Sequence, residues 1–472
     1  MRFERAVRIG DLAGLRATVM GLGLHGGGAA SARFLASRGA RVTVTDLKPE
    51  EDLRSSLADL EDLPLRLALG RHEREDFLDA DVVIKNPGVP SDSPFLELSR
   101  ARGIPIETDI SLFLRFAGNP ILAVTGTKGK STTASAVHHV LKDQRPGSRL
   151  GGNITVSPLT FLEKLEAEAP VVLELSSWQL GDLRDTGLLA PKISLVTVLL
   201  PDHMNRYSGM EEYVEDKKVI FRDQGRSDAA IFNADDTLQR GFPEETRAKA
   251  YTFSSTRLPD GLEGAWLEGG GGRCRIHGGE SLILREPLRL LGEHNRMNLL
   301  AAGLALALYD VPPEAVAEGL SDFGGVEHRL ELFTEIGGIR FYNDSTATIP
   351  HATVRAVRSV PPPVHLIAGG TDKNIDFSPL REILRVPRSI ALLEGSGTEK
   401  MFALFDEMSV SYGGPFDRLE AAVDFALEHA SAGSSVLFSP GCTSFGMFQN
   451  EFERGRRFKE AVLARVGGEP RS

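Results

Sequence analysis

The stretch Ile121-Leu-Ala-Val-Thr-Gly-Thr-Lys-Gly-Lys-Ser-Thr-Thr133 decides how the rest of the 472-residue chain is read. The apolar run Ile121 to Val124 has the length of a buried strand, and from Lys130 helical spacing continues to Leu141. Between them lies the glycine loop Gly126-Thr127-Lys128-Gly129. Loop amides and a helix N-terminus aimed at one point form a phosphate cradle, and glycine lets the backbone come close. Lys130 would bring a cation to terminal phosphates, and Ser131 or Thr132 a hydroxyl to Mg2+. Strict Walker spacing wants glycine where Val124 stands, so this is the shorter T-G-T-x-G-K-S-T form. Strand and helix flank the loop as the motif requires, which weighs against a chance Gly-Lys-Ser turn.

Further strands of the same block are expected at 171–175, 193–199 and 229–232. Continuous Val/Ile/Leu runs separated by helical stretches indicate a parallel sheet covered on both faces. Segment 250–290, glycine-rich around Gly269-Gly-Gly-Gly272, reads as an antiparallel hairpin excursion with a mobile tip. A strong amphipathic helix follows over 293–308.

Upstream, Leu15–Met20, Gly21-Leu-Gly-Leu-His-Gly26, a helix to about Arg38 and Arg41–Asp46 make a strand, turn, helix, strand unit. Gly21, Gly23 and Gly26 fit G-x-G-x-x-G, and Asp46 stands 20 residues past the last glycine. Alone this suggests a dehydrogenase, but any nucleotide diphosphate satisfies the same turn. A strand ending in a loop is also expected over 81–90, and another over 104–109. Downstream, strands at 339–343, 364–368, 390–393 and 435–438 alternate with helices at about 350–358, 378–385, 398–406, 416–430 and 449–465. The expected architecture is α/β with three domains: a Rossmann-like 1–118, a central P-loop ATPase-like parallel sheet at 119–325, and a second Rossmann-like domain at 326–472.

A formal charge of −11 argues against a nucleic-acid or acidic-membrane partner. Two cysteines, Cys274 and Cys442, form no disulfide framework and suit a reducing cytoplasm. No apolar window approaches a signal peptide or a membrane span.

Glu174 ends an apolar strand where a Walker-B acid would stand. His203, in Pro201-Asp-His-Met-Asn-Arg-Tyr207, follows another strand and would face the ligand crevice. Lys217 and Lys218 lie on a helix, where lysines ordinarily form a solvated face. Asn153 could orient a phosphate or amide. Asn295 and Asn298 share one helical face and could pair with an adenine edge, or simply cap the helix. Arg329 lies at the second domain junction, where a salt bridge is the plain alternative to a phosphate contact.

Taken in order, Thr125-Gly-Thr-Lys-Gly-Lys-Ser-Thr132, Gly151-Gly-Asn153, Glu174-Leu-Ser-Ser-Trp-Gln179, Asp202-His-Met-Asn-Arg-Tyr207, Gly292-Glu-His-Asn295 with Asn298, and His328-Arg329 resemble the Mur ligases over nearly the whole chain. Asn343-Asp-Ser345, Gly369 to Pro379 and Ser439 to Phe445 resemble the family's glutamate-adding members. The resemblance implies an ATP- and Mg2+-dependent amide ligase that works through an acyl phosphate. It would add glutamate, of D configuration in the family, to UDP-N-acetylmuramoyl-L-alanine in cytoplasmic peptidoglycan precursor synthesis, as a monomer. Gly23, Leu24, His25, Asp46, Lys48, Asn86 and Gly88 would then hold the UDP moiety, and Asn153 the substrate. Gly126 to Thr132, with Asn295, Asn298, Arg329 and Asp344, would hold ATP. Thr132, Glu174, His203 and a carbamylated Lys217 would serve two Mg2+ ions, with Lys130, His203 and Lys217 carrying the catalysis. Lys373, Ser444 and Phe445 would receive glutamate.

Two positions depart from the family's habit. Thr346 stands where lysine commonly follows Asn-Asp-Ser, which leaves the amino acid and its configuration open. Asp216 precedes Lys217 where a small residue is usual, so Lys217 and Lys218 remain rivals. A folylpolyglutamate synthase shares the phosphate loop but lacks the diphosphate turn. A dehydrogenase would not need residues 121–133, and a non-catalytic nucleotide-binding regulator would release no phosphate.

Overall fold

The computed structural model describes residues 11–467 except 24–25, 155, 203–206, 291, 373–375, 445 and 449, and the side chain of residue 55. Three sheets carry the described chain. The first contains β1 (Arg16–Met20), β2 (Arg41–Asp46), β3 (Arg66–Leu69), β4 (Val82–Lys85) and β5 (Ile106–Glu107), all parallel in the order β3-β2-β1-β4-β5. The second contains β6 (Ile121–Thr125), β7 (Arg149–Gly152), β8 (Val171–Glu174), β9 (Ile193–Val196), β10 (Ala229–Asn233), β11 (Lys249–Ser254), β12 (Gly264–Glu268), β13 (Gly271–Ile276) and β14 (Gly279–Leu284). Its order is β14-β13-β12-β11-β10-β9-β6-β8-β7. The third contains β15 (Glu331–Ile336), β16 (Ile339–Asn343), β17 (Val364–Gly369), β18 (Ser389–Leu393), β19 (Gly413–Phe416) and β20 (Ser435–Phe438), in the order β15-β16-β20-β17-β18-β19.

The chain divides into two compact units at Phe323. The first holds the five- and nine-stranded sheets, the second the six-stranded one. Every residue of β6, β8 and β9 is buried, as continuous apolar strands covered on both faces require. One apolar core runs from the first sheet, through Phe113 and Phe161, to one face of the second. Helices Lys130–Gln144 and Glu293–Leu308 cover the other face. The six-stranded sheet has its own core on each face.

Segment 250–290 differs from the expectation. β11 pairs parallel with β10, and β12 parallel with β11; the antiparallel part is confined to β12–β14. Of the four glycines only Gly269 and Gly270 form the turn, both with positive φ. A Cβ at Gly272 would lie 2.7 Å from Leu300 Cδ1, so that glycine is packed core. The helix expected at 378–385 is a single 3-10 turn, Ser378–Glu382. Among the described residues no helix is long and apolar enough to cross a membrane.

Candidate active site at the carboxyl ends of the central strands

The loop after β6 is held tightly on its flanking strands. Thr127 N donates to Val198 O at 2.6 Å, and Thr197 Oγ1 donates to Lys128 O at 2.6 Å. Two glycines are obligatory here. A Cβ at Gly126 (φ +145°) would lie 1.9 Å from Thr197 Oγ1, and one at Gly129 (φ +87°) 2.3 Å from Asn298 Oδ1. Gly129 caps helix Lys130–Gln144, so the first-turn amides lie at the loop, and Ser131 and Thr132 on that turn are half-buried. Lys130 Nζ folds back onto the carbonyls of Gly126 and Thr127, each at 3.0 Å. The exposed Lys128 amine sits 3.4 Å from Asp202.

Beside the loop, Glu174 closes β8 in register with Val124. It is 1% exposed. Its Oε1 accepts from Asn153 Nδ2 at 2.9 Å, while its buried Oε2 has no hydrogen-bond partner among the described residues. A buried carboxylate oxygen left open is costly unless a cation completes it. The site therefore fits a divalent ion riding on nucleotide phosphates, with Thr132 as a further hard oxygen. Among the described residues there is no cluster of three or more His, Cys, Asp or Glu.

Lys217 also lies beside the phosphate loop. It is 1% exposed on helix Met210–Arg222, and its Nζ donates to Gly126 O at 2.8 Å. Burial, reinforced by the nearby charge of Lys130, lowers its pKa to about 7. The Tyr213 ring lies 4.7 Å from the amine, and Tyr213 OH is 2.9 Å from Thr127 Oγ1. Lys218 points elsewhere, pairing with Glu215 and Glu245 at 2.9 and 2.8 Å. His203 lies outside the described residues.

A cleft of about 490 Å³ opens from these groups towards the first sheet, reaching from Lys130 and Lys217 past Asn153 to Asn86 and Gly88. There the glycine turn is braced from below. Asp46 accepts from Gly23 N at 3.1 Å and Lys48 N at 3.0 Å, and Asn86 packs against Gly21 and Gly23. Asp46 thus shapes the turn before it meets any ligand, and the Lys48 side chain is exposed. Leu24 and His25 lie outside the described residues. The cleft also presents Asp109, Ser177 and Trp178, which sequence reading did not single out as ligand contacts. Asp109 is buried and its pKa raised by that burial. Asn295 and Asn298 pair with each other at 3.4 Å at the start of helix Glu293–Leu308, against the phosphate loop.

In the second unit the ends of β16 and β20 meet. Asp344 accepts from Leu330 N at 2.9 Å and Ser439 Oγ at 2.7 Å, and burial raises its pKa to about 7. Ser444 is buried on the loop after β20, while Arg329 is exposed. Thr346 spends its hydroxyl on His328 O at 2.9 Å, so it does not replace the missing lysine. Lys373 and Phe445 lie outside the described residues. Sequence reading missed Arg454, 1% exposed, which donates to Ser345 Oγ and O and to Cys442 O at 3.1, 2.7 and 3.1 Å. Nothing local signals this, because it comes from a highly charged helix, Glu451–Val466.

Comparison with known proteins agrees with this geometry. Residues 16–108 match the Mur ligase MurD-like N-terminal domain, and residues 124–306 the Mur ligase middle domain. The UDP-N-acetylmuramoylalanine–D-glutamate ligase of Roseiflexus sp. is 43% identical over 469 residues, spanning 96% of this chain and 99% of its own. Its namesake from Treponema pallidum is 38% identical over 523 residues, spanning 96% and 98%. The solved UDP-N-acetylmuramate-alanine ligase of Thermotoga maritima shares the fold, with a TM-score of 0.56 over 95% of this chain and 99% of that one, at 20% identity. Given relatives this similar over nearly their full length, the chain belongs to the Mur ligase family.

Proposed function

We propose that this chain is an ATP-dependent carbon–nitrogen ligase that joins D-glutamate to UDP-N-acetylmuramoyl-L-alanine, forming ADP and phosphate, in cytoplasmic peptidoglycan precursor synthesis. The observation that carries the reading is the full-length similarity to ligases of that name, at 43% identity in the Roseiflexus case. We assign the UDP substrate to 1–118, ATP to 119–325 and the amino acid to 326–472.

The substrate carboxylate attacks the γ-phosphorus of ATP, the bond to the β–γ bridging oxygen breaks, and ADP leaves. The glutamate amine then attacks the acyl carbon, loses a proton, and phosphate departs. No nucleophilic side chain is needed, so positioning and charge stabilisation carry the rate. Lys130 and the amides of 126–132 hold the phosphates. Asn153 fixes the Glu174 carboxylate, leaving Oε2 for a cation. Two Mg2+ ions, when bound, would neutralise charge on the transferring phosphoryl group. Thr132, Glu174, His203 and Lys217 would hold them. For Lys217 this requires carbamylation: the neutral amine bonds to the carbon of CO2, a proton leaves to water, and a carboxylate results. An amine with a pKa near 7 supplies the neutral form at physiological pH.

Phosphate release with UDP-N-acetylmuramoyl-L-alanine, ATP, Mg2+ and each glutamate enantiomer tests the reading. Release with D-glutamate alone is expected. Release with L-glutamate alone would reassign the specificity, and Thr346 is the residue that motivates this second reading. Absence of release with both would refute the function.

A further inference from the structure

Helix Met210–Arg222 carries Asp216 and Lys217 in succession, about 100° apart around its axis. Lys217 faces the phosphate loop, and Asp216 faces helix Ser177–Asp182. Both Asp216 oxygens are taken. Arg184 donates to Oδ1, and Tyr207 OH donates to Oδ2 at 2.9 Å. A Cβ at Gly181 would lie 2.8–2.9 Å from all three atoms of the carboxylate group, so the helix facing Asp216 leaves room only for glycine there. Tyr207 is buried, and its ring meets Tyr213 of the Lys217 helix edge-on at 5.2 Å. Three separate segments thus converge on one carboxylate. One carries Lys217, one leads into the cleft wall, and one directly follows residues 203–206.

We propose that Asp216 is a positioning residue: through Arg184 and Tyr207 it fixes the rotation of helix Met210–Arg222 about its axis, and so holds the Lys217 amine at the phosphate loop in the pose its carbamate requires. The proposal rests on the reading of Lys217 as a carbamylated ligand. A helix turned slightly about its axis would swing the long lysine stem off Gly126 O. An ordinary salt bridge would stabilise the fold without touching Lys217 chemistry.

The test uses the full chain in 13C-labelled bicarbonate and reads the carbamate carbonyl resonance directly, with Lys217→Ala to assign it. Asp216→Ala and Tyr207→Phe are then titrated with bicarbonate. Both should raise the half-saturating bicarbonate by about tenfold, the scale of one buried hydrogen bond to a charged group. Tyr207→Phe removes a single hydroxyl and keeps the Arg184 pair, so it decides the matter if Asp216→Ala does not fold. Wild-type bicarbonate affinity in the folded variants, even with a lowered melting temperature, would overturn the proposal while leaving the Lys217 reading intact. A wild-type protein with no Lys217-dependent resonance would overturn the Lys217 reading, and the proposal with it.

Discussion

At the scale of single residues, charge and burial decide what each group does. Lys217 is an ammonium at low pH and a free amine above about pH 7, because its surroundings solvate the cation poorly. Its reaction with CO2 should therefore strengthen as pH rises from 6 to 8, read as growth of the labelled carbamate signal at constant dissolved CO2. Lys218, held between Glu215 and Glu245, should give no such signal. Asp344 follows the opposite logic. Its folded pKa of about 7 exceeds the ordinary carboxylate value, so the native state holds a proton that the unfolded chain gives up. The associated stability is present at acid pH and is lost as pH rises towards 7 and beyond. Asp344→Asn should thus melt higher than wild type at pH 8, with the gap narrowing towards pH 4. Equal gaps at both pH values would show that the carboxyl does not titrate there. Glu174→Gln removes the charge on a carboxylate whose Oε2 has no partner among the described residues. Mg2+ dependence of nucleotide binding should weaken about tenfold or more, while Mg2+-free binding changes little.

At the scale of elements, the phosphate loop is the part most dependent on local backbone shape. Gly129→Ala forces a Cβ into Asn298 at a φ that disfavours it. ATP affinity measured by calorimetry should fall at least about tenfold, and an unchanged affinity would mean the loop is not the nucleotide cradle. The same locality explains why this element was readable: strand, glycines and helix start are all written within residues 121–141. Elsewhere the pattern ran out for physical reasons. β3 reads Arg-Leu-Ala-Leu at a half-exposed edge, and β19 reads Gly-Gly-Pro-Phe, which looks like a turn. Lys217 and Lys218 are neighbours in sequence, and only the docking of their helix decides which faces inward. Arg454 stands among Glu451, Glu453, Arg456 and Arg457, so its burial is dictated by Ser345 and Cys442, not by its own helix. Arg454→Met removes three buried hydrogen bonds, and thermal unfolding should register a loss of about 2 kcal/mol or more.

At the scale of the whole molecule, the first unit joins an all-parallel sheet to a mixed one across the cleft. Part of that junction is a buried ion pair, Lys85 with Asp182 at 2.8 Å, whose side chains are 3% and 12% exposed. Lys85→Met removes the buried cation facing Asp182 and should destabilise this unit by about 3 kcal/mol in denaturant melts. The glycine turn after β1 and the phosphate loop after β6 both stand at the carboxyl ends of their strands, and one cleft reaches from Asn86 and Gly88 to Thr127 and Lys130. On the proposed function this layout would bring a sugar-nucleotide carboxylate to the γ-phosphate of ATP. The most direct measurement starts with 18O in the carboxylate of UDP-N-acetylmuramoyl-L-alanine and follows the label during turnover with ATP and D-glutamate. One 18O should appear in each released phosphate, as an acyl phosphate demands. Phosphate free of label, with amide product still forming, would contradict the account.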